Sequence, residues 1–84
     1  MTAVTIYTLA HCPYCHKAKA LLAELHIPFD EKSVDDDPAW RDHMEILSGR
    51  RTVPQIFIND KSIGGCDDLI ALHASNQMLP LLQQ

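Results

Sequence analysis

The stretch that decides the fold covers residues 3–25, AVTIYTLAHCPYCHKAKALLAEL. Its first six residues alternate and are rich in β-branched side chains, which predicts a strand. From Cys15 onward, apolar residues recur at intervals of three and four, which predicts an amphipathic helix. Pro13 suits the first position of that helix, because its missing N–H costs no hydrogen bond there. The sequence therefore predicts a strand followed by a helix, with Cys12 at the helix N-terminus.

Strand and helix signals alternate along the rest of the chain. Asp37 is placed to cap a second helix, and Asp67 to cap a third that runs through about Ala74. The turn Asn59-Asp60 between two apolar runs indicates a β-hairpin. The predicted elements are strands at 3–8, 29–34, 55–58 and 61–63, helices that begin after Cys12, Asp37 and near Asp67, and a terminal apolar turn at 78–82.

The order of these elements, β-α-β-α-β-β-α, predicts an α/β fold. A helical crossover joins the first two strands, which should be parallel, whereas the last two should form an antiparallel hairpin. We therefore expect a mixed four-stranded sheet with flanking helices. A Cys-x-x-Cys motif that opens the first helix of such a unit is typical of a thioredoxin-like redox site.

Length and composition exclude several classes of protein. The 84 residues suit one compact domain, 1–84, and the net charge of −4 provides no basic surface for nucleic acid. No apolar stretch approaches the length of about eighteen residues that a membrane-spanning helix needs, and no signal peptide is evident. Three cysteines are too few, and odd in number, for a secreted disulfide framework. We expect a cytoplasmic protein with no membrane or nucleic-acid partner.

The two cysteines of the first helix should have different roles. A helix N-terminus carries partial positive charge and free N–H donors, so it stabilises a thiolate at Cys12. Cys15, one turn further on, should point toward the core within disulfide reach of Cys12. The spacing therefore predicts that Cys12 attacks a substrate disulfide and that Cys15 resolves the resulting intermediate.

Three motifs together resemble the dithiol glutaredoxin family, most closely its short bacterial members. They are similar, in the same order and spacing, to the family's Cys-Pro-Tyr-Cys signature, its Thr-Val-Pro turn with a cis proline, and its Gly-Gly-x-Asp motif. The resemblance covers essentially the whole chain and implies a thioredoxin-like fold. It also implies a glutathione-dependent enzyme that reduces glutathione mixed disulfides and protein disulfides. The motifs are Cys12-Pro13-Tyr14-Cys15, Thr52-Val53-Pro54 and Gly64-Gly65-Cys66-Asp67-Asp68.

The resemblance implies a binding site for glutathione as reducing co-substrate, with no tightly bound cofactor and no metal. The Val53 backbone would pair with the cysteinyl part of glutathione as an added strand does. Cys66 and Asp67, at a helix start, would receive the γ-glutamyl carboxylate and ammonium. The implied cation for the glycyl carboxylate is Arg41, with Arg50 and Arg51 as alternatives. The implied glutathione-binding residues are Tyr14, Arg41, Thr52, Val53, Pro54, Cys66 and Asp67.

The implied partners are glutathione, glutathionylated proteins and disulfide-containing reductases, and we expect a monomer. The alternative hypothesis for the function is an iron–sulfur or zinc-binding module of the same fold with little redox turnover. His11 and His16 flank the cysteine motif, but no second ligand pair has the spacing of a structural zinc site. His16 also completes the haem c attachment pattern, but that pattern is typical of proteins exported from the cell.

Three further expectations concern individual side chains. Many glutaredoxins have a lysine where this chain has Leu9, so we expect a less stabilised thiolate at Cys12. Cys66 is interpreted as a small, partly buried hydrophobe, with a redox-sensitive third thiol as the alternative. The stripe Trp40, Met44 and Leu47 is predicted to lie in the core.

Overall fold

The computed structural model describes residues 3–83, and Met1, Thr2 and Gln84 of the predicted 1–84 domain lie outside the described residues. Within that range no helix is long and apolar enough to span a membrane. The predicted order of elements is confirmed, and the terminal apolar turn forms a short additional helix. The elements are β1 (Val4–Thr8), α1 (Pro13–Glu24), β2 (Phe29–Ser33), α2 (Pro38–Ser48), β3 (Gln55–Ile58), β4 (Lys61–Gly64), α3 (Cys66–Ala74) and α4 (Met78–Leu82).

The four strands form one mixed sheet in the order β2-β1-β3-β4. β1 is parallel to β2, and β3 is antiparallel to β4, as predicted. β1 is also antiparallel to β3, a pairing that the element order did not predict. Tyr7 near the end of β1 pairs with Gln55 at the start of β3. This register brings the loop that carries Cys12 next to the loop that precedes β3.

The core lies on both faces of the sheet. All four residues of β3 are buried, which explains the unbroken apolar run at 56–58. On one face the sheet packs against α1, α3 and α4 through Ile6, Ile56, Ile58, Ala18, Leu22, Leu69 and Met78. On the other face it packs against α2 through Tyr7, Val34, Met44 and Phe57.

The start of α2 is capped as the sequence predicts. The Asp37 carboxylate accepts a hydrogen bond from Ala39 N at 3.0 Å, and Pro38 occupies the first turn. The helix ends at Gly49, whose φ of 77° lies in the left-handed region that glycine adopts without strain.

The prediction that Asp67 caps α3 is wrong. Gly65 is the N-cap, and the Asp68 carboxylate accepts a hydrogen bond from Gly65 N at 2.9 Å. Asp68 stands three residues after the N-cap, which is the position from which a side chain reaches back in a capping box. Asp67 is therefore exposed and does not cap the helix.

The predicted core stripe of α2 is only partly correct. Met44 is fully buried and Trp40 is half-buried, but Leu47 is 51% exposed. Leu47 lines an open surface cavity with Thr5 and Phe57. The short helix therefore covers the sheet around Met44 and leaves its last turn at the margin of the contact.

Gly64 provides a test of the turn into α3. Its φ is +104°, and a Cβ built there would lie 2.6 Å from Asp68 Cγ. Gly64→Ala should lower the free energy of unfolding by about 2–3 kcal/mol, because it adds backbone strain and displaces the capping carboxylate. Urea denaturation measures this loss.

Gly49→Ala is the matched control. Gly49 also has a positive φ, +77°, but a Cβ there meets no atom within 4 Å in the described structure. It should cost only the backbone strain, about 1 kcal/mol. Equal losses in the two variants would contradict the proposed clash with Asp68.

Candidate active site

Cys12 occupies the N-cap of α1, so its predicted place at the helix N-terminus is confirmed. Its half-buried Sγ accepts a hydrogen bond from Cys15 N at 3.2 Å. The Cys12 thiol also lies 3.9 Å from Val53 O, to which it donates. The first turn of the helix thus provides an N–H donor to the sulfur.

Cys15 lies behind Cys12 and is fully buried. Burial, and then the hydrogen bond with Cys12, raise the pKa of the Cys15 thiol to about 12. The Lys19 ammonium and the Leu9 backbone act in the opposite direction on this pKa. Cys15 is therefore a protonated thiol at neutral pH, close to Cys12 but shielded from solvent.

The loop before β3 forms the opposite wall of the site. The Val53–Pro54 peptide bond is cis, as the resemblance implies, and Pro54 is buried. The start of α3 approaches this loop closely, since a Cβ built on Gly65 would lie 3.3 Å from Pro54 O. The three sequence motifs therefore meet around the Cys12 sulfur.

A cavity of about 240 Å³ lies between these motifs. Six of the seven predicted glutathione-binding residues line it. Three further lining residues were not predicted: Gln55 directly follows the Thr-Val-Pro motif, and Gly65 and Asp68 belong to the glycine-rich motif. Only neighbourhood in the chain could have indicated them. The lining residues are Tyr14, Arg50, Thr52, Val53, Pro54, Gln55, Gly65, Cys66, Asp67 and Asp68.

The structure does not bring Arg41 to this cavity. Arg41 lies in the first turn of α2, whereas the segment that reaches the cavity follows the end of that helix. The eight steps from residue 41 to residue 49 span about 12 Å along the helix axis. Arg50, one of the predicted alternatives, lines the cavity and lies 3.7 Å from Asp68 Oδ2. Arg51 instead pairs with Asp42 and Glu45 on α2.

Cys66 and Asp67 begin α3 but differ in exposure. Cys66 is 5% exposed and belongs to the core cluster with Ile56 and Leu69, and burial raises the pKa of its thiol. Asp67 is exposed at the cavity. The placement of Cys66 agrees with its interpretation as a small buried hydrophobe.

The histidines beside the cysteines are solvent-exposed. The His16 ring lies 3.0 Å from Ala10 O, in the loop that precedes Cys12. Across residues 3–83, no group of three or more His, Cys, Asp or Glu side chains converges as at a metal site.

The fold and the adjacent cysteines define a thioredoxin-like protein with a dithiol site. The family model "Glutaredoxin" matches residues 4–63. The chain is 53% identical to Glutaredoxin 3 of Escherichia coli (strain K12) over 83 residues, which covers 99% of this chain and 100% of the relative. The chain therefore belongs to the glutaredoxin family, and family and fold support a thiol–disulfide oxidoreductase.

Two solved structures show the same architecture. The solution structure of a glutaredoxin from Brucella melitensis has a TM-score of 0.83 at 48% identity, covering 98% of this chain and 89% of the other. A crystal structure of a buckwheat glutaredoxin–glutathione complex has a TM-score of 0.88 at 28% identity, covering 96% of this chain and 76% of the other.

The unequal burial of the thiols predicts selective alkylation. When the reduced protein is treated with iodoacetamide at about pH 8, Cys12 should be modified and Cys15 should not, because only a thiolate reacts. The pKa of Cys15 is raised to about 12, so its labelling should increase only as the pH approaches that value. Peptide mass mapping measures both sites.

Unfolding in urea is the control, since it should expose Cys15 to the reagent. Labelling of Cys15 in the folded protein as fast as Cys12 would contradict the buried, protonated state.

Proposed function

We propose that this chain is a glutathione-dependent thiol–disulfide oxidoreductase that reduces glutathione mixed disulfides and protein disulfides. The observation that carries this proposal is the cavity beside Cys12. One of its walls is the backbone at Val53, and the other is the N-terminus of α3. Glutathione offers a matching thiol, peptide backbone and charged ends. Tyr14, 60% exposed, stands at the margin of that cavity and would flank the bound sulfur.

In the proposed first half-reaction, the Cys12 thiolate attacks the glutathione sulfur of a mixed disulfide. The new bond joins Cys12 to glutathione, the old S–S bond breaks, and the partner leaves as a thiolate that takes up a proton. The thiolate of a second glutathione then attacks this intermediate. It releases the Cys12 thiolate and glutathione disulfide, so the cycle consumes one glutathione thiol, and the other half of the glutathione disulfide comes from the substrate.

Protein disulfides would require both cysteines. Cys12 first forms a disulfide with the substrate, and Cys15 then loses its proton, attacks Cys12 and displaces the reduced substrate. The resulting Cys12–Cys15 disulfide is reduced by two glutathione molecules. The buried, high-pKa thiol at Cys15 supports this division of roles, because it is poorly suited to attack an external substrate.

The glutathione clamp would use both walls of the cavity. The Val53 backbone would pair with the cysteinyl part beside Pro54, and Thr52 would lie next to it. The N–H groups at Cys66 and Asp67 would receive the γ-glutamyl carboxylate, and the Asp67 side chain its ammonium. The position of Arg50 at the cavity favours it over Arg41 as the cation for the glycyl carboxylate.

The remaining parts of the proposal concern organisation and partners. We propose that residues 1–84 act as a single glutaredoxin domain and as a monomer in the cytoplasm. Its clients would be glutathionylated proteins and disulfide-containing reductases, with glutathione as co-substrate and no resident cofactor or metal. The net charge of −4 supports the exclusion of nucleic acid.

Serine substitutions test the two cysteine roles. Cys12→Ser should abolish all disulfide reduction, because it removes the attacking sulfur. Cys15→Ser should retain deglutathionylation and lose most reduction of protein disulfides. Oxidation of NADPH coupled through glutathione reductase measures both activities.

An equal loss of deglutathionylation in both variants would reject this assignment. Stoichiometric iron or zinc in anaerobically purified protein, together with an absence of glutathione-dependent turnover, would favour the metal-binding alternative instead.

The neighbouring aspartates test the clamp. Asp67→Asn removes the charge proposed to meet the γ-glutamyl ammonium, so KM for a glutathionylated substrate should rise about tenfold or more. Its thermal stability should stay nearly unchanged, because Asp67 does not cap α3.

Asp68→Ala is the comparison, because it removes the carboxylate that accepts from Gly65 N, whereas an Asn there would keep an acceptor. It should lower the free energy of unfolding by about 1 kcal/mol. A stability loss in Asp67→Asn without a change in KM would contradict the clamp.

A further inference from the structure

Gln55 is a buried polar side chain that the described mechanism does not use. It is 1% exposed and lines the cavity beside Cys12. Its Nε2 donates a hydrogen bond to Thr52 Oγ1 at 3.2 Å. Within residues 3–83 its buried Oε1 has no hydrogen-bond partner. The carboxamide thus makes one side-chain hydrogen bond, and that bond ends on a cavity residue.

A purely structural role explains this arrangement poorly. A buried acceptor without a partner destabilises the folded state, and an apolar side chain of similar shape would avoid that cost. The opposite orientation of the amide would leave both N–H groups unpaired, whereas the described one uses one N–H and leaves the oxygen unpaired. Unpaired buried N–H groups are the rarer of the two, so the donor role toward Thr52 is favoured. The position therefore favours a group that acts on Thr52.

The hydrogen bond from Gln55 determines what Thr52 can do. The Thr52 oxygen accepts from Gln55, so its own O–H is left to donate to another acceptor. Thr52 is exposed and lines the cavity, where that acceptor would be a bound ligand. The Arg50 guanidinium lines the same cavity. A hydroxyl donor together with a cation suits a carboxylate.

We propose that Gln55 is a positioning residue that holds the Thr52 hydroxyl as a donor toward the glycyl carboxylate of glutathione. This inference rests on the proposed function, in which the N-terminus of α3 receives the γ-glutamyl carboxylate and leaves the glycyl carboxylate for Thr52 and Arg50. Gln55 is then a determinant of specificity for thiols that carry this second carboxylate.

The test compares two substrates: the mixed disulfide of cysteine with glutathione, and the same molecule with its glycyl carboxylate as an ethyl ester. The wild-type protein should have a KM about tenfold lower for the acid than for the ester, as expected for one hydrogen bond to a charged group. Gln55→Met and Thr52→Val should each lose most of this preference. The double variant should lose no more than either single variant, because both remove the same interaction.

Two controls separate positioning from structure. Gln55→Met should keep or raise the melting temperature, because it removes an unpaired buried oxygen. Gln77→Met makes the same substitution at an exposed residue and should retain the acid preference.

The inference is overturned if Gln55→Met keeps the wild-type preference, if the two single effects multiply in the double variant, or if the wild type does not prefer the acid. Reduction of other disulfides by the wild type, without turnover of either glutathionyl substrate, would overturn the proposed function itself and this inference with it.

Discussion

The hydrogen bond from Cys15 N to Cys12 Sγ, 3.2 Å long, fixes the reactive sulfur at the first turn of α1. It exists because the chain turns from β1 into a helix at Pro13, which needs no backbone donor. The same turn places Cys15 beneath Cys12 and against the core. One local geometry therefore leaves the Cys12 sulfur half-buried next to Val53 and buries Cys15 completely, and this difference is the basis of the proposed division of chemical roles.

The central position of β1 extends this geometry to the distant motifs. Because β1 pairs antiparallel with β3, the end of β1 and the start of β3 lie at the same edge of the sheet. The cis-proline loop thereby reaches Cys12, although about forty residues separate them in sequence. β4 then leads the chain through Gly64 into α3, whose first turn completes the cavity. The strand pairing therefore places the three segments of the candidate site next to one another.

The fold was predictable because its signals are local and strong. Pro13 after Cys12 marked the start of α1, and the turn Asn59-Asp60, where both residues have positive φ, marked the hairpin. The errors involve choices that spacing does not decide. Both aspartates after Gly65 suit a helix start, and only the reach-back geometry selects the second one as the capping partner.

Other features needed the tertiary structure. Arg41 and Arg50 carry equal charge in the sequence, and only the axial length of α2 separates one from the cavity. The exposure of Leu47 depends on how far that short helix covers the sheet. Gln55 in β3 follows a turn and precedes three buried apolar residues, so its sequence context gives no sign that its amide is buried.

The start of α3 shows how neighbouring carboxylates come to lie in different surroundings. The Asp68 carboxylate is held by Gly65 N and lies near Arg50, so its charge is committed within the protein. Asp67 lies in the same helical turn, but within residues 3–83 its side chain forms no hydrogen bond with the N-cap. It remains exposed at the cavity. Because the reach-back cap requires a side chain three residues after the N-cap, Asp67 cannot take that role, and its side chain stays at the cavity. The two helix starts differ in what caps them. At α1 the N-cap residue Cys12 itself carries the sulfur that accepts from Cys15 N. At α3 the Asp68 carboxylate reaches back to Gly65 N, and the preceding Asp67 stays exposed at the cavity.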